Sequence, residues 1–266
     1  MGGLKPQLMC GIIFRDESDK YESGGGELHM GIFDGLRGNK AITPEDRRKK
    51  TVEQLKKQGI AYNPHLPLLE SSESVNLKSP EEVKKRALGC MMCVQLACSI
   101  NNGEDYGEAL AFVLQKFAEW KISIDDLLPK ERLLIQNKYT KNGCADEFTR
   151  QDLVDIVWTY EVYWSLAWAL DLITDKELKN AEAICDTEKA MMTSAFVPSS
   201  AGLRNVEKIL DMLDLFYCYH WACVEKQIRP ETEIGKLNPE VVVERRRGLE
   251  WLIGEEKDWN EISLDT

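Results

Sequence analysis

Residues 156–173 read IVWTYEVYWSLAWALDLI, with apolar or aromatic side chains at almost every position. A helix that is apolar all round is buried, either in a membrane or inside a large soluble protein. Glu161 and Asp171 lie within this stretch, and a carboxylate at the centre of a bilayer costs about 2.5–3.5 kcal/mol. The stretch therefore predicts the central buried helix of a soluble bundle.

Helix-start signals recur along the chain between residues 43 and 254. At such a start a side-chain oxygen accepts a hydrogen bond from a backbone N–H, and proline or an acidic residue follows. No strand-rich segment interrupts the pattern. We therefore expect an all-α fold, a single bundle-like domain of about seven to eight helices. The predicted starts are Thr43, Ser79, Thr149 and Asn238, with Ser199 or Ser200 opening a long helix to about Ile228.

The N-terminal part of the chain differs in composition from the rest. It is rich in glycine, with three in succession at Gly24–Gly26. Two short apolar pieces, residues 8–14 and 28–33, either pair as a small hairpin or stay loosely ordered. We therefore divide the chain into a Gly-rich extension, residues 1–42, and a helical domain, residues 43–266.

Composition excludes several classes of protein. The 266 residues are 43% hydrophobic and 30% charged, which is typical of a globular protein and excludes wholesale disorder. The formal net charge of −11 is poorly suited to binding nucleic-acid phosphates. Residues 8–14 are too short for a signal-peptide core, and most of the eight cysteines lie in apolar helical stretches. We expect a cytoplasmic protein with free thiols that binds neither nucleic acid nor membranes.

Cys90 and Cys93 form a C-x-x-C motif. Structural zinc pairs normally lie on turns, and a redox pair normally follows a strand, whereas this motif lies inside an apolar helix. Buried, inert thiols are therefore the favoured interpretation. The alternatives are a redox pair, or a zinc site completed by Cys218, His220 or Cys223. We expect neither a metal nor a cofactor.

The only basic cluster lies in the first predicted helix of the domain. A solvated helix face is the favoured interpretation, because no aromatic residues are interleaved to stack on nucleic-acid bases. A contact to phosphate is the alternative. The cluster consists of Arg47, Arg48, Lys49, Lys50, Lys56 and Lys57.

Several charged residues fall on apolar helix faces. Arg245 shares a face with Val241, Leu249 and Leu252, so its guanidinium is predicted to point into the core, with Arg246 and Arg247 pointing away. A buried guanidinium needs a carboxylate partner, since an unpaired buried charge costs several kcal/mol. By the same argument four other polar side chains point inward, namely Glu161, Asp214, His220 and Glu244.

These five residues are expected to converge between three helices, and two interpretations stay open. In the first they form a small polar site, with His220, Glu161 and Asp214 as catalytic candidates. Binding would then fall to Glu244, Arg245, Trp168 and Trp221. In the second interpretation they form a buried network of ion pairs that fixes helix register. Most of the aromatic residues belong to the core in either case.

The chain resembles the bacterial domain-of-unknown-function family DUF4272 over residues 43–266. The resemblance implies a mostly helical, cytoplasmic domain, and it implies no activity, cofactor or catalytic residue. Members of that family typically have a histidine where this chain has Arg246. The matching segments are Tyr160-Glu161, Trp164–Leu170, Leu213-Asp214-Leu215, His220-Trp221-Ala222, Val243–Ile253, Asp258-Trp259 and Asp265-Thr266, with Arg47-Arg48, Gly59-Ile60, Leu66-Pro67 and Ser79–Glu82 in the N-terminal half.

Three hypotheses for function follow. The first is a non-enzymatic binding or interaction domain, which would take a protein partner or a small anionic ligand. The second is a hydrolase-like enzyme that uses His220 with a carboxylate and Arg245. The third is an acidic, immunity-type inhibitor of a basic toxin, since a sequence pI near 5.0 suits association with a basic partner.

Overall fold

A computed structural model describes residues 42–136 and 149–266 of the chain. All regular secondary structure in those two ranges is helical, which confirms the all-α prediction. Three short 3₁₀ turns accompany the α-helices. The nine α-helices of the described part are α1 (Pro44–Gln58), α2 (Pro80–Asn101), α3 (Tyr106–Trp120), α4 (Pro129–Ile135), α5 (Arg150–Ala169), α6 (Asp175–Lys179), α7 (Thr187–Ser194), α8 (Val206–Ile228) and α9 (Pro239–Ile253). The hairpin predicted within residues 1–42 lies outside the described residues.

Four of the predicted helix starts are confirmed by their caps. Thr43, Ser79, Thr149 and Asn238 each accept a hydrogen bond from a backbone N–H in the first turn. The prediction at Ser199 or Ser200 is wrong.

The long helix α8 begins later than predicted, at Val206. Its cap is Asn205, whose side chain accepts from the backbone N–H of Lys208. Ser199 lies in a 3₁₀ turn, Val197–Ser199, that precedes it. Between the turn and the helix stands Gly202 with φ +156°, a conformation that a helix does not contain. The residues after Ser200 are not helical, so neither serine can cap the helix that begins at Val206.

Helix α5 lies at the centre of the domain, as predicted. Its main neighbours are α2 on one side and α9 on the other, while α8 packs on α9, α3 packs on α2 and α1 packs on α8. The Trp164 and Trp168 side chains on α5 are fully buried. Because both flanking helices cover it, α5 needs apolar side chains on nearly every face.

The crossing of α5 and α9 depends on a glycine. A Cβ atom at Gly248 would lie 2.9 Å from Ser165 Cβ and 3.0 Å from the Val162 carbonyl oxygen, closer than such atoms approach in folded proteins. The absence of a side chain therefore lets the two backbones meet. The same approach allows the Ser165 hydroxyl to donate to the Arg245 carbonyl oxygen at 2.9 Å.

Within the residues that the structure describes, none of the helices has both the length and the hydropathy to cross a bilayer.

Gly248→Ala is predicted to lower the free energy of unfolding by about 1–3 kcal/mol, because the new methyl group forces α5 and α9 apart. Denaturant unfolding followed by circular dichroism measures the change. Glu53→Ala, at an exposed position of α1, is the control and should stay within about 0.5 kcal/mol of the unaltered protein. A Gly248→Ala protein as stable as the parent would contradict the close-packing argument.

Candidate functional site

Hydrogen bonds do not join the five inward polar residues into a single site within the described part of the chain: Glu161 and Arg245 bind each other, and the other three each bind an arginine outside the set. They divide into four pairs at different places in the described part of the domain. Three of the pairs use arginines that sequence analysis placed on the surface, namely Arg48, Arg246 and Arg247. The pairs are Glu161 with Arg245, Asp214 with Arg48, His220 with Arg246, and Glu244 with Arg247.

Glu161 and Arg245 form a sealed ion pair between α5 and α9, both at about 1% exposure. Arg245 Nε donates to Glu161 Oε2 at 2.7 Å. Arg245 Nη1 donates to the carbonyl oxygens of Leu178 and Asn180, at 2.6 and 2.7 Å. The other Glu161 oxygen accepts from the backbone N–H of Cys185 at 2.5 Å.

This pair ties a loop to the helical core. The loop contacts involve residues between α6 and α7 or at the end of α6, namely Leu178, Asn180 and Cys185. The Arg245 guanidinium donates to two carbonyl oxygens of this loop, and the Glu161 carboxylate accepts from one of its backbone N–H groups. The carboxylate and the guanidinium thus satisfy each other and the loop backbone. The geometry is that of a structural brace, and no solvent-facing donor is left to meet a substrate.

Arg48 pairs with Asp214, which corrects the interpretation of the basic cluster. Its Nε and Nη2 atoms donate to Asp214 Oδ1 at 3.1 and 2.7 Å, and the remaining donors reach the carbonyl oxygens of Leu66 and Pro67. The preceding Arg47 is also buried and pairs with Glu207 and Asp211.

The interpretation of a solvated face is therefore wrong for Arg47 and Arg48, which point inward and fix α1 onto α8. It is confirmed for Lys49, Lys50, Lys56 and Lys57, all of which are exposed. The i and i+1 positions of a helix point about 100° apart, so a run of like charges does not lie on a single face.

Arg246 is buried as well, contrary to the prediction that it points away from the core. Its Nη1 contacts His220 Nδ1 at 2.7 Å, its Nε donates to Glu250 at 3.1 Å, and its guanidinium lies 4.6 Å from the Tyr217 ring centre. It also donates to the carbonyl oxygens of Leu264 and Asp265. Arg246 therefore fastens the C-terminal segment to α8 and α9.

This contact defines the state of the His220 imidazole. Because a guanidinium can only donate, Nδ1 must be the unprotonated nitrogen that accepts the bond. Burial, together with the charges of Arg246 and Arg247, lowers the pKa of His220 to about 4. No hydrogen bond in the described part of the chain joins His220 to Glu161 or Asp214, so the general base and carboxylate orienter of the enzyme hypothesis are not assembled.

Of the residues predicted to bind a ligand, Glu244 lines a cleft whose wall carries several carboxylates. Its carboxylate accepts from Arg247 Nε at 3.2 Å, with the side chain 19% exposed. Burial, reinforced by the nearby charges of Asp155 and Glu161, raises the pKa of Glu244. The cleft is about 450 Å³ and is called the acidic cleft below; it is lined by Asp155, Trp158, Thr159, Gln227, Pro239, Glu240, Val243, Glu244, Arg247 and Asn260.

The two predicted binding tryptophans lie apart from that cleft. Trp221 is partly exposed on α8 and does not line the acidic cleft. Trp168 is buried, and its indole N–H donates to Asp175 at 2.8 Å at the edge of a second cleft.

One buried pair was missed by the sequence analysis. Arg86 Nη2 donates to both carboxylate oxygens of Glu131, at 2.5 and 2.6 Å, and its guanidinium lies 4.7 Å from the centre of the Trp259 ring. The signal was present, since Arg86 falls on the same helical face as Val83 and Cys90.

The C-x-x-C motif is buried within α2. Burial raises the pKa of Cys90 to about 12 and that of Cys93 well above the ordinary thiol value, so the nucleophilic thiolate is strongly disfavoured. The Cys90 thiol donates to the Thr159 carbonyl oxygen at 3.4 Å. Across residues 42–136 and 149–266, no group of three or more histidine, cysteine or acidic side chains is placed to hold a metal ion.

The chain belongs to the family described as Domain of unknown function (DUF4272), whose model matches residues 47–262. The match therefore covers the helical domain from α1 to the C-terminal 3₁₀ turn, and it confirms the resemblance drawn from the sequence. Comparison with curated proteins and with solved structures gives no match.

Arg245→Met is predicted to cost about 3–5 kcal/mol of stability, because it leaves the Glu161 carboxylate buried without a counter-ion. Adding Glu161→Leu should restore part of the loss by removing that charge. Urea unfolding of the two single variants and the double variant measures this coupling. Strictly additive losses would show that the two side chains act independently, against the brace described above.

Stability is predicted to fall as pH decreases from 6.5 to about 4 through the titration of His220. The unfolded chain binds the proton near pH 6.5 and the folded chain only near pH 4, so the stabilisation is complete above 6.5 and is lost below it. The change amounts to about 3 kcal/mol.

His220→Gln keeps an acceptor for Arg246 and removes the titration, so its unfolding free energy should vary less over this pH range. Comparing the two proteins cancels the contributions of carboxyl groups, which titrate in both. Parallel pH profiles for the parent and His220→Gln would refute the assignment.

Proposed function

We propose that this protein is a binding domain whose acidic cleft receives a cationic side chain, an arginine or lysine, of a protein partner. The observation that carries the proposal is the composition of the cleft wall. Three carboxylates, those of Asp155, Glu240 and Glu244, face one space together with the Trp158 ring. Among the described residues that line it, Arg247 is the only cationic one.

The charges of this wall favour a cation over an anion. Three carboxylates against one guanidinium leave a surplus of two negative charges in the cleft. Burial is the main cause of the raised pKa of Glu244, and the charge of Asp155 in the same cleft adds to it, against the opposing effect of Arg247. A cation that enters the cleft relieves this repulsion.

The Trp158 ring adds a second mode of recognition. An arginine or ammonium group over the face of tryptophan gains about 0.5–2 kcal/mol, and more where water is excluded. Trp158 is partly exposed at the cleft, so its ring is available for such a contact. At about 450 Å³ the cleft also matches the size at which pockets take one small molecule or a side chain with its flanking backbone.

This proposal develops the first hypothesis from the sequence and retains part of the third. A basic partner fits the formal net charge of −11, because opposite charges steer association. We also propose a cytoplasmic location, because the six described cysteines are buried free thiols, as expected in a reducing compartment.

L-Argininamide is the probe, and its binding should be saturable, weakened by salt and reduced about tenfold or more in Asp155→Asn/Glu244→Gln. Titration calorimetry measures the affinity. The control Glu53→Gln/Glu73→Gln removes two exposed carboxylates outside the cleft and should bind like the parent. The single variant Asp155→Asn changes an exposed residue and should also weaken binding. It therefore still tests the proposal if Glu244→Gln disturbs folding.

The location of binding is checked by the indole N–H resonance of Trp158, which should shift on titration. Equal weakening in the two double variants would show that only the overall charge matters. That outcome, or no saturable binding by the parent protein, would sink the proposal.

A further inference from the structure

A second cleft in the described part of the domain has the opposite charge. It lies where α1, α6 and α8 meet beside the end of α5, has a volume of about 310 Å³ and is called the basic cleft below. It shares no lining residue with the acidic cleft. Its lining residues are Arg47, Lys50, Thr51, Gln54, Trp168, Asp175, Lys179, Lys208, Asp211, Met212 and Leu215.

The carboxylates of this cleft are already committed to other cations. Asp211 accepts from Arg47 Nε at 3.1 Å. Asp175 accepts from the Trp168 indole and lies 3.8 Å from Arg204. Arg47 also pairs with Glu207, and Arg204 with Asp171, so each arginine is shared by two acids. The positive surplus of the lining therefore comes from its composition, with four cationic residues against two carboxylates.

Three lysines remain without a counter-ion. Lys50 on α1, Lys179 at the end of α6 and Lys208 on α8 come from separate elements, and none makes an ion pair with another residue that the structure describes. The concentration of positive charge at this cleft contrasts with the formal net charge of −11 on the whole chain. Uncompensated positive charge from three elements, facing one concave space, favours an anion there.

The floor of the basic cleft is apolar. Trp168, Met212 and Leu215 line it, each no more than about 3% exposed. The Thr51 hydroxyl and the Gln54 amide add neutral hydrogen-bonding groups to the wall. Pockets that bind small molecules combine such an apolar surface with a few charged groups at one side.

We propose that the basic cleft binds a small organic dianion, a phosphate monoester or a dicarboxylate on a compact apolar body. The three lysine ammonium groups would hold the charged end, and the Trp168–Met212–Leu215 floor would cover the apolar part. Each positive charge attracts a dianion twice as strongly as a monoanion at the same distance, and the attractions of three lysines add, so the preference for a dianion is larger than one lysine would give. The site is separate from the proposed acidic cleft and does not depend on it.

Phenyl phosphate and phthalate are the probes, since they carry the same charge on similar bodies and separate the phosphate from the dicarboxylate possibility. Titration calorimetry of the full chain should give saturable binding with a Kd below about 1 mM for one of them. Inorganic phosphate, which lacks the apolar body, should bind more weakly. Raising the ionic strength should weaken all three.

The variant Lys50→Gln/Lys179→Gln/Lys208→Gln should weaken binding of the tighter probe about tenfold or more. The control Lys49→Gln/Lys57→Gln/Lys257→Gln removes the same charge from exposed positions outside the cleft, and its affinity should stay within about twofold of the parent. All six lysines are at least partly exposed, so both triple variants should fold.

The Trp168 indole N–H resonance provides a readout that does not depend on any variant. It lies at the cleft edge and should shift as the probe binds, while the Trp158 resonance in the acidic cleft should not. The proposal is overturned by an absence of saturable binding of both organic probes, by equal weakening in the two triple variants, or by a shift confined to Trp158. These outcomes concern the basic cleft alone, so they can be told apart from a failure of L-argininamide to bind at the acidic cleft.

Discussion

Burial of guanidinium groups is the constraint on which this domain depends. Five arginines, Arg47, Arg48, Arg86, Arg245 and Arg246, are at most about 6% exposed. A guanidinium removed from water is tolerated only with a carboxylate and acceptors for its other donors. Each of the five has a carboxylate partner, and all of these partners except Glu250 of the Arg246 pair come from another helix or from a distant part of the chain.

The pairs also determine which segments are held and where. Arg245 fixes the loop between α6 and α7, Arg48 fixes the chain at Leu66 and Pro67, and Arg246 fixes the C-terminal segment. Guanidinium groups suit this task because five donors in a fixed plane can reach a carboxylate and backbone carbonyls together. Glu161 and Arg245, two of the residues considered for a polar site, thus bind each other and the backbone of this loop.

The clefts differ because the helices distribute charge unevenly. At the acidic cleft three carboxylates face one arginine, and at the basic cleft four cationic residues face two carboxylates. Net charge over the whole chain gives no sign of this separation. Opposite local potentials on one domain allow two ligands of different charge to bind without competing.

Much of the fold was predictable because it rests on local signals. The apolar run of α5, the caps at Thr43, Ser79, Thr149 and Asn238, and the inward direction of Glu161 and Arg245 all follow from spacing along one helix. The first residue of α8 could not be predicted in this way, because the chain is still non-helical at Gly202, where φ is +156°.

The sequence by itself determined which side chains are buried along α5 and that a buried arginine must find an acid. It did not determine which acid, because a pairing such as Arg48 with Asp214 joins residues 166 positions apart and depends on how α1 packs on α8. Helical periodicity likewise placed Arg246 outward, whereas the C-terminal segment folds over it and supplies the carbonyl oxygens that make burial tolerable. Only the tertiary structure decides such contacts, since periodicity gives the direction of a side chain on its own helix and not what will cover it.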